Sequence, residues 1–239
     1  MKRLFFMVAV ALLTFGMASC ERNGDDNGGS NNGNTPSNPT NPTTDDWVDL
    51  GLPSGLLWAK CNLGATTPEE YGNYYAWGEI ASKSVYTWDT YTYGDDDGFI
   101  HIYKYNSSAD YGTVDNKIVL EPDDDAASVA LGAGARMPTQ AEWQELIDNT
   151  TVEWTTENDV YGRKFTAANG NSLFLPAAGF RVDAELCLAG ELGAYWSSSL
   201  FEEIPSGAIY LDFQSDGMNM IYFDRFYGRS VRAVRARQN

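Results

Sequence analysis

One stretch of this chain leaves its local structure little freedom. In Thr139-Gln140-Ala141-Glu142-Trp143-Gln144-Glu145-Leu146-Ile147, Thr139 and Glu142 have the spacing of a capping box, in which each side chain satisfies a backbone group that the first helical turn leaves open. Trp143, Leu146 and Ile147 fall at i, i+3 and i+4, so one face of this helix is apolar and needs something to pack on. Beyond it the apolar spacing drops to every second residue. Thr151–Thr156, Gly162–Ala167 and Ser172–Pro176 read as strands, with Ala168-Asn169-Gly170-Asn171 as a tight hairpin turn. More strands are expected at Tyr195–Ser199, Ala208–Phe213, Met218–Phe223 and Ser230–Arg235, and Asp216-Gly217 turns the middle pair. A helix laid on short antiparallel strands makes an α+β fold.

The first half of the domain is less periodic. Trp47–Leu50 and Leu56–Cys61 read as a strand pair across Pro53-Ser54-Gly55. Residues 62 to 120 read as long ordered loops with strand fragments near Tyr74–Trp77 and Phe99–Tyr103, and loops of that length usually wrap a core or carry function. Asp123–Asp125 before Ala126–Leu131 and Gly132 after it mark a second, short helix.

Ahead of the domain, Lys2 and Arg3 precede an apolar run from Leu4 to Met17, which reads as a secretory signal. It closes on Met17-Ala18-Ser19-Cys20, which resembles a lipobox and implies lipidation of Cys20. Residues 21–46 are almost entirely Asn, Gly, Asp, Ser, Thr and Pro. They predict a disordered tether with a reach of about 25–30 Å. Glu21, Asp25 and Asp26 resemble the acidic signals that send some lipoproteins to the outer face of the outer membrane. The expected layout is a signal peptide over 1–20, a tether over 21–46 and one domain over 47–239. The lipid is then the sole membrane attachment, because no later stretch is apolar enough to span a bilayer.

Charge and residue counts narrow the function. A net charge of −17 repels a polyanion, so nucleic acid is not an expected partner. Arg225, Arg229, Arg232, Arg235 and Arg237 cluster near the end and read as a basic closing strand set inside an acidic domain. His101 is the only histidine, so any Ser-His-Asp or Cys-His machinery would depend on it. It sits instead in the alternating stretch Phe99–Tyr103. Glu142 and Glu145 could in principle exchange protons, but capping and solvation explain them. Cys61 and Cys187 stand as two buried thiols or one disulfide, and no spacing suits zinc. No cofactor is expected.

Several segments resemble known families. Arg136-Met137-Pro138-Thr139 with Ala141-Glu142-Trp143 resembles a segment of the formylglycine-generating enzymes, which have a C-type lectin-like fold. Their catalytic cysteine pair lies near the C-terminus, and no cysteine follows Cys187 here, so their catalytic residues do not carry over. A wider set is similar to the "major paralogous domain" of bacterial surface lipoproteins: Val48–Leu52, Trp58–Ala65, Tyr74–Glu79, Leu175–Gly179, Tyr195–Ser199 and Ser230–Arg232. The resemblance implies a C-type lectin-like fold. Glu121-Pro122-Asp123 is similar to the calcium-holding triplet of C-type lectins. It lies early rather than late, lacks its Trp-Asn-Asp partner, and is explained by helix capping. Asp95–Asp97 before Gly98 reads as an exposed acidic turn.

Leu200–Arg229 resembles the variable regions of retroelement-diversified proteins, framed by Tyr195–Ser199 and Ser230–Arg232. Glu202, Glu203, Met218 and Met220 depart from the codon pattern of those regions. The physical reason to look there is independent: Tyr222-Phe223-Asp224-Arg225-Phe226-Tyr227 packs four aromatics and an arginine into six residues without clean alternation. Aromatics and arginine dominate binding hot spots. The expected ligand contacts are Phe201, Ile209, Leu211, Phe213, Tyr222, Phe223, Asp224, Phe226, Tyr227 and Arg229. The expected function is non-enzymatic adhesion to a glycan or a surface protein. The alternatives are a structural or fimbria-associated subunit and, behind it, an enzyme.

Overall fold

Two α-helices form in the computed structural model, which describes residues 46–237: α1 (Ala126–Leu131) and α2 (Gln140–Asp148). These residues belong to the second of the two units into which the chain divides, Thr35–Asn239. Cys20, the leader 1–20 and the tether up to residue 45 lie outside the described residues. Thr139 Oγ1 accepts the Glu142 N–H at 3.3 Å, and Glu142 Oε2 accepts the Thr139 N–H at 2.8 Å. The expected capping box is therefore closed. Arg136 adds a grip on the same carboxylate, through two guanidinium N–H groups at 2.7 and 2.5 Å. Asp125 caps α1 by accepting the Ser128 N–H at 2.9 Å, and its second oxygen accepts the Met137 N–H at 2.8 Å.

The largest sheet has five strands: β3 (Tyr74–Tyr75), β12 (Gly193–Leu200), β13 (Gly207–Phe213), β14 (Met218–Asp224) and β15 (Arg229–Ser230). Their order is β14-β13-β12-β15-β3, with only the β12–β15 pair parallel. Alternate residues of β12 and β13 enter two different cores. Ala194, Trp196, Ala208 and Tyr210 join Trp77 and Val231, whereas Tyr195, Leu211 and Phe213 join Trp58, Trp143 and Phe165. Burial on both faces explains the unbroken apolar run Ala208–Leu211 of β13. Helix α2 belongs to the second core, where the Trp143 ring lies 4.8 Å from that of Trp58 and its Nε1 donates to the Trp196 carbonyl at 3.3 Å.

A four-stranded sheet ties the start of the domain to its end: β1 (Trp47–Asp49), β2 (Leu57–Ala59), β16 (Val234–Arg235) and β6 (Ala135–Arg136), in that order and antiparallel throughout. The single closing strand expected over Ser230–Arg235 is thus two short ones in different sheets. Val231–Ala233 cross between them fully buried, with their carbonyls taken by Leu63 and Ala59. Arg232 donates to Asn62 Oδ1 at 2.7 and 3.0 Å, and Asn62 reaches the Tyr195 hydroxyl at 3.1 Å. Segments distant in sequence meet there in one satisfied interior network.

The hairpin β7 (Thr150–Glu157) with β8 (Val160–Ala167), extended by β9 (Ser172–Pro176), forms a third sheet as expected. Two small hairpins go beyond the sequence reading: β4 (Gly94–Asp96) with β5 (Ile100–Ile102), and β10 (Phe180–Val182) with β11 (Glu185–Cys187). The second was missed because its turn uses Asp183 at φ +51° with no glycine to mark it. Cys61 is a free thiol, so a Cys61–Cys187 bridge is not formed.

Candidate ligand-binding face

Strand β14 is the outer edge of the five-stranded sheet. The hydrogen bonds of Gln214 N–H to the Gly217 carbonyl and of Arg225 N–H to the Ser206 carbonyl fix the phase of its ladder with β13. Residues 219, 221 and 223 spend their backbone groups on β13, and the amides and carbonyls of Met218, Met220, Tyr222 and Asp224 point away from the sheet. Side chains alternate across it. Met218 and Met220 pack on the core that holds Leu211 and Phe213. Past the end of that core, Tyr222 stacks on Phe201 with ring centres 3.7 Å apart and planes 7° from parallel. Ile221, Tyr222 and Phe223 are 40 %, 41 % and 44 % exposed. Three consecutive large apolar residues at the surface of an edge strand demand an explanation that core packing does not supply.

Arg229 stiffens the sheet beside them. It is 3 % exposed. Its guanidinium carbon lies 3.6 Å from the centre of the Tyr210 ring and 4.9 Å from Trp196, with Tyr227, Phe180 and Phe223 at 5.6, 5.7 and 5.8 Å. The cation is held by aromatic faces, and its buried Nε has no hydrogen-bond partner among the described residues. Asp212 and Asp224 supply the opposite charge. Burial pushes the Asp224 carboxyl up to about 6, with Arg229 acting against the rise and Asp96 adding to it. Burial also raises Asp212, again opposed by Arg229. A row of rings continues the support: Phe223 against Tyr227 at 4.9 Å, Tyr227 against Phe226 at 4.5 Å, and Phe226 against Trp88 at 5.1 Å.

The ten expected contact residues separate by burial. Tyr222 and Phe223 are exposed, and Phe201, Asp224, Phe226 and Tyr227 are half-buried around them. Leu211 and Phe213 are 0 % exposed and Ile209 9 %. These three fill the interior, because β13 is an inner strand covered on both faces, so they are not available to a ligand. Arg229 is likewise not a surface contact and acts beneath the face. Ile221 was not among the expected contacts, nor were Tyr210, Asp212 and Phe180. Placing Met218 and Met220 inward would have exposed Ile221 by simple alternation. Nothing in the sequence pointed to Phe180, which comes from the β10–β11 hairpin.

Other groups with chemical potential are committed to structure. Glu121 forms ion pairs with Lys104 and Lys117 at 2.7 and 2.8 Å. Asp124 accepts the hydroxyls of Tyr93 and Tyr105 at 2.6 and 2.5 Å and also pairs with Lys104. Burial opposes its charge, but these hydrogen bonds, Lys104 foremost, outweigh burial and hold the carboxyl below its usual range. Asp123 is exposed and Asp125 is the cap of α1, so the Glu121-Pro122-Asp123 triplet is divided between lysine pairing and a helix start. His101 lies 3.5 Å from the Asp95 carboxylate across the β4–β5 hairpin. No group of three or more His, Cys, Asp or Glu among the described residues is placed to hold a metal ion, and no described helix is long and apolar enough to cross a membrane. Comparison with known proteins returns no match, neither to a family model nor to a curated protein nor to a solved structure.

Proposed function

We propose that this chain is a surface-anchored, non-enzymatic binding module of C-type lectin-like fold, which holds a glycan or surface-protein ligand on the exposed edge of β14, where Ile221 and Phe223 stand on one side of the sheet and Tyr222 with Phe201 on the other. The observation that carries this reading is the run of three exposed apolar residues, 221 to 223, on an edge strand. Rings and branched aliphatics there offer contact area at little ordering cost, because Phe201 and Tyr227 already hold Tyr222 and Phe223 in place. Two carboxylates outside this strand are engaged in ion pairs, Glu142 with Arg136 and Glu121 with two lysines. Support for the lectin-like fold comes from the segments that resemble it, since Asn62, Tyr195, Trp196 and Arg232 all lie in the interior framework. Support for the anchor is the Met17–Cys20 motif with the basic and apolar residues before it.

The test is binding of the full-length protein, purified in mild detergent, to arrayed glycans and envelope or host-surface proteins, beside a variant carrying Ile221, Tyr222 and Phe223 as Ser. Binding lost in a folded variant supports the reading. The alternative, a structural or fimbria-associated subunit, is favoured by the free backbone edge of β14, and it predicts a stable complex recovered from native envelopes.

A further inference from the structure

Natural sheet edges are usually blunted by a lysine, a proline, a bulge or a very short strand, and β14 has none of these. It runs Met-Asn-Met-Ile-Tyr-Phe-Asp, and all seven residues pair with β13 without a break in register. The irregularity in this sheet lies on the inner side, between β12 and β13. The outward amides and carbonyls of Met218, Met220 and Tyr222 therefore form a regular, open template, which ends where the Asp224 carbonyl accepts the Tyr227 N–H at 3.4 Å. The rim near Phe201 is acidic. Asp216 in the β13–β14 turn and Glu202 and Glu203 beside Phe201 are exposed, whereas Arg225 and Arg229 of the same segment are buried. At the turn Arg163 donates to the Gln214 and Gly217 carbonyls at 2.7 and 3.1 Å and its positive charge faces Asp216, so the uncompensated acids of this edge are Glu202 and Glu203.

From this we infer that β14 receives an extended, basic peptide segment of a partner protein as a sixth strand, its backbone bonded to Met220 and Tyr222 and its cationic side chains facing Glu202 and Glu203. Strand addition draws affinity from the main chain and selectivity from alternate side chains. Ile221 and Phe223 supply an apolar strip on one side of the added strand, and Tyr222 supplies one on the other. A second copy is the wrong occupant. The β14 of a second copy, Met-Asn-Met-Ile-Tyr-Phe-Asp, brings no cation to meet Glu202 and Glu203. This inference rests on the binding face proposed above and adds the class of its ligand.

The probe is a short fluorescent peptide of alternating Lys and Val, titrated onto the full-length protein in detergent. Beside it run a Glu–Val counterpart and a Lys–Val peptide N-methylated on every second residue. Saturable binding of the Lys–Val peptide is expected, weakened about tenfold or more by N-methylation and by Tyr222→Pro, which removes an outward amide and spares the β13 ladder. The double variant Glu202→Lys with Glu203→Lys is expected to weaken it by a similar factor and to favour the Glu–Val peptide. If Tyr222→Pro does not fold, Ile221→Lys, a gatekeeper charge at an exposed position, takes its place with the same expectation. Equal binding of the N-methylated peptide overturns strand addition. So does a β14-dependent dimer that Ile221→Lys dissolves. If N-methylation has no effect and binding is still lost when Ile221, Tyr222 and Phe223 become Ser, the binding face stands and only its strand-adding mode falls.

Discussion

The central guanidinium carbon of Arg229 sits over Tyr210, 3.6 Å from the ring centre, in a site where Arg229 is 3 % exposed. Four further aromatic rings lie within 6 Å of that carbon. A planar cation fits such a slot and an ammonium does not. Arg229→Lys should therefore lower stability by about 2 kcal/mol or more, read as a shift of the urea midpoint with unchanged slope. An unshifted midpoint would show that the stack contributes nothing.

Asp224 is the group next to this cage whose ionisation costs stability. Burial, outweighing Arg229, pushes its folded carboxyl up to about 6. A raised carboxyl favours the fold fully below its unfolded value, and that advantage is lost as the pH rises through about 6. Asp224→Asn removes the burden. The variant should match the parent near pH 4 and gain on the order of 1–2 kcal/mol by about pH 7.5. A variant that grows less stable than the parent as the pH rises would mean that pairing with Arg229 outweighs burial.

Glu142 works in the opposite sense. Burial raises its carboxyl, but Arg136 and the Thr139 amide more than offset this and hold it low. Glu142→Gln should lower stability by about 1–2 kcal/mol at neutral pH. That cost should shrink as the pH falls through and below the ordinary carboxylate range, where the parent loses the same charge. A pH-independent cost would place the effect in packing rather than in the Arg136 pair.

Gly193 begins β12 directly under the Phe213 ring, and a Cβ there would meet the ring at 2.0 Å. Phe213 is 0 % exposed and stacks on Tyr195, so it has no room to withdraw. Gly193→Ala should cost about 1–3 kcal/mol through overpacking. Thermal denaturation of the purified variant checks this, and an unchanged midpoint would contradict it.

Much of the scaffold could be read directly from residues. The capping box, the hairpins around Asn169-Gly170 and Asp216-Gly217, and the pairing of 47–49 with 57–59 each depend on local chemistry, and each forms. What the sequence hid depends on distant partners. The closing segment alternates like one strand, but it serves two sheets, because Val234 pairs with Trp58 while Ser230 pairs with Tyr74. The candidate face was legible in outline only. Aromatic density located Tyr222 and Phe223, but density cannot tell an inner strand from an edge, so Leu211 and Phe213 were expected at the surface and lie in the core. Of the clustered arginines, Arg225, Arg229, Arg232 and Arg235 are buried and Arg237 is exposed against Asp49; Arg229 was expected at the surface, and two of the carbonyls that hold Arg225, those of Lys104 and Tyr105, lie more than a hundred residues before it.

The measurement that bears most heavily on the proposed function is ligand capture by the full-length protein against the variant with Ile221, Tyr222 and Phe223 changed to Ser, after both are shown to unfold at similar urea concentrations. These side chains are exposed, so the variant should lose about 1 kcal/mol or less of stability. It should also lose nearly all binding to whichever glycan or surface protein the parent captures. Undiminished binding by the folded variant would remove the β14 face as the ligand site.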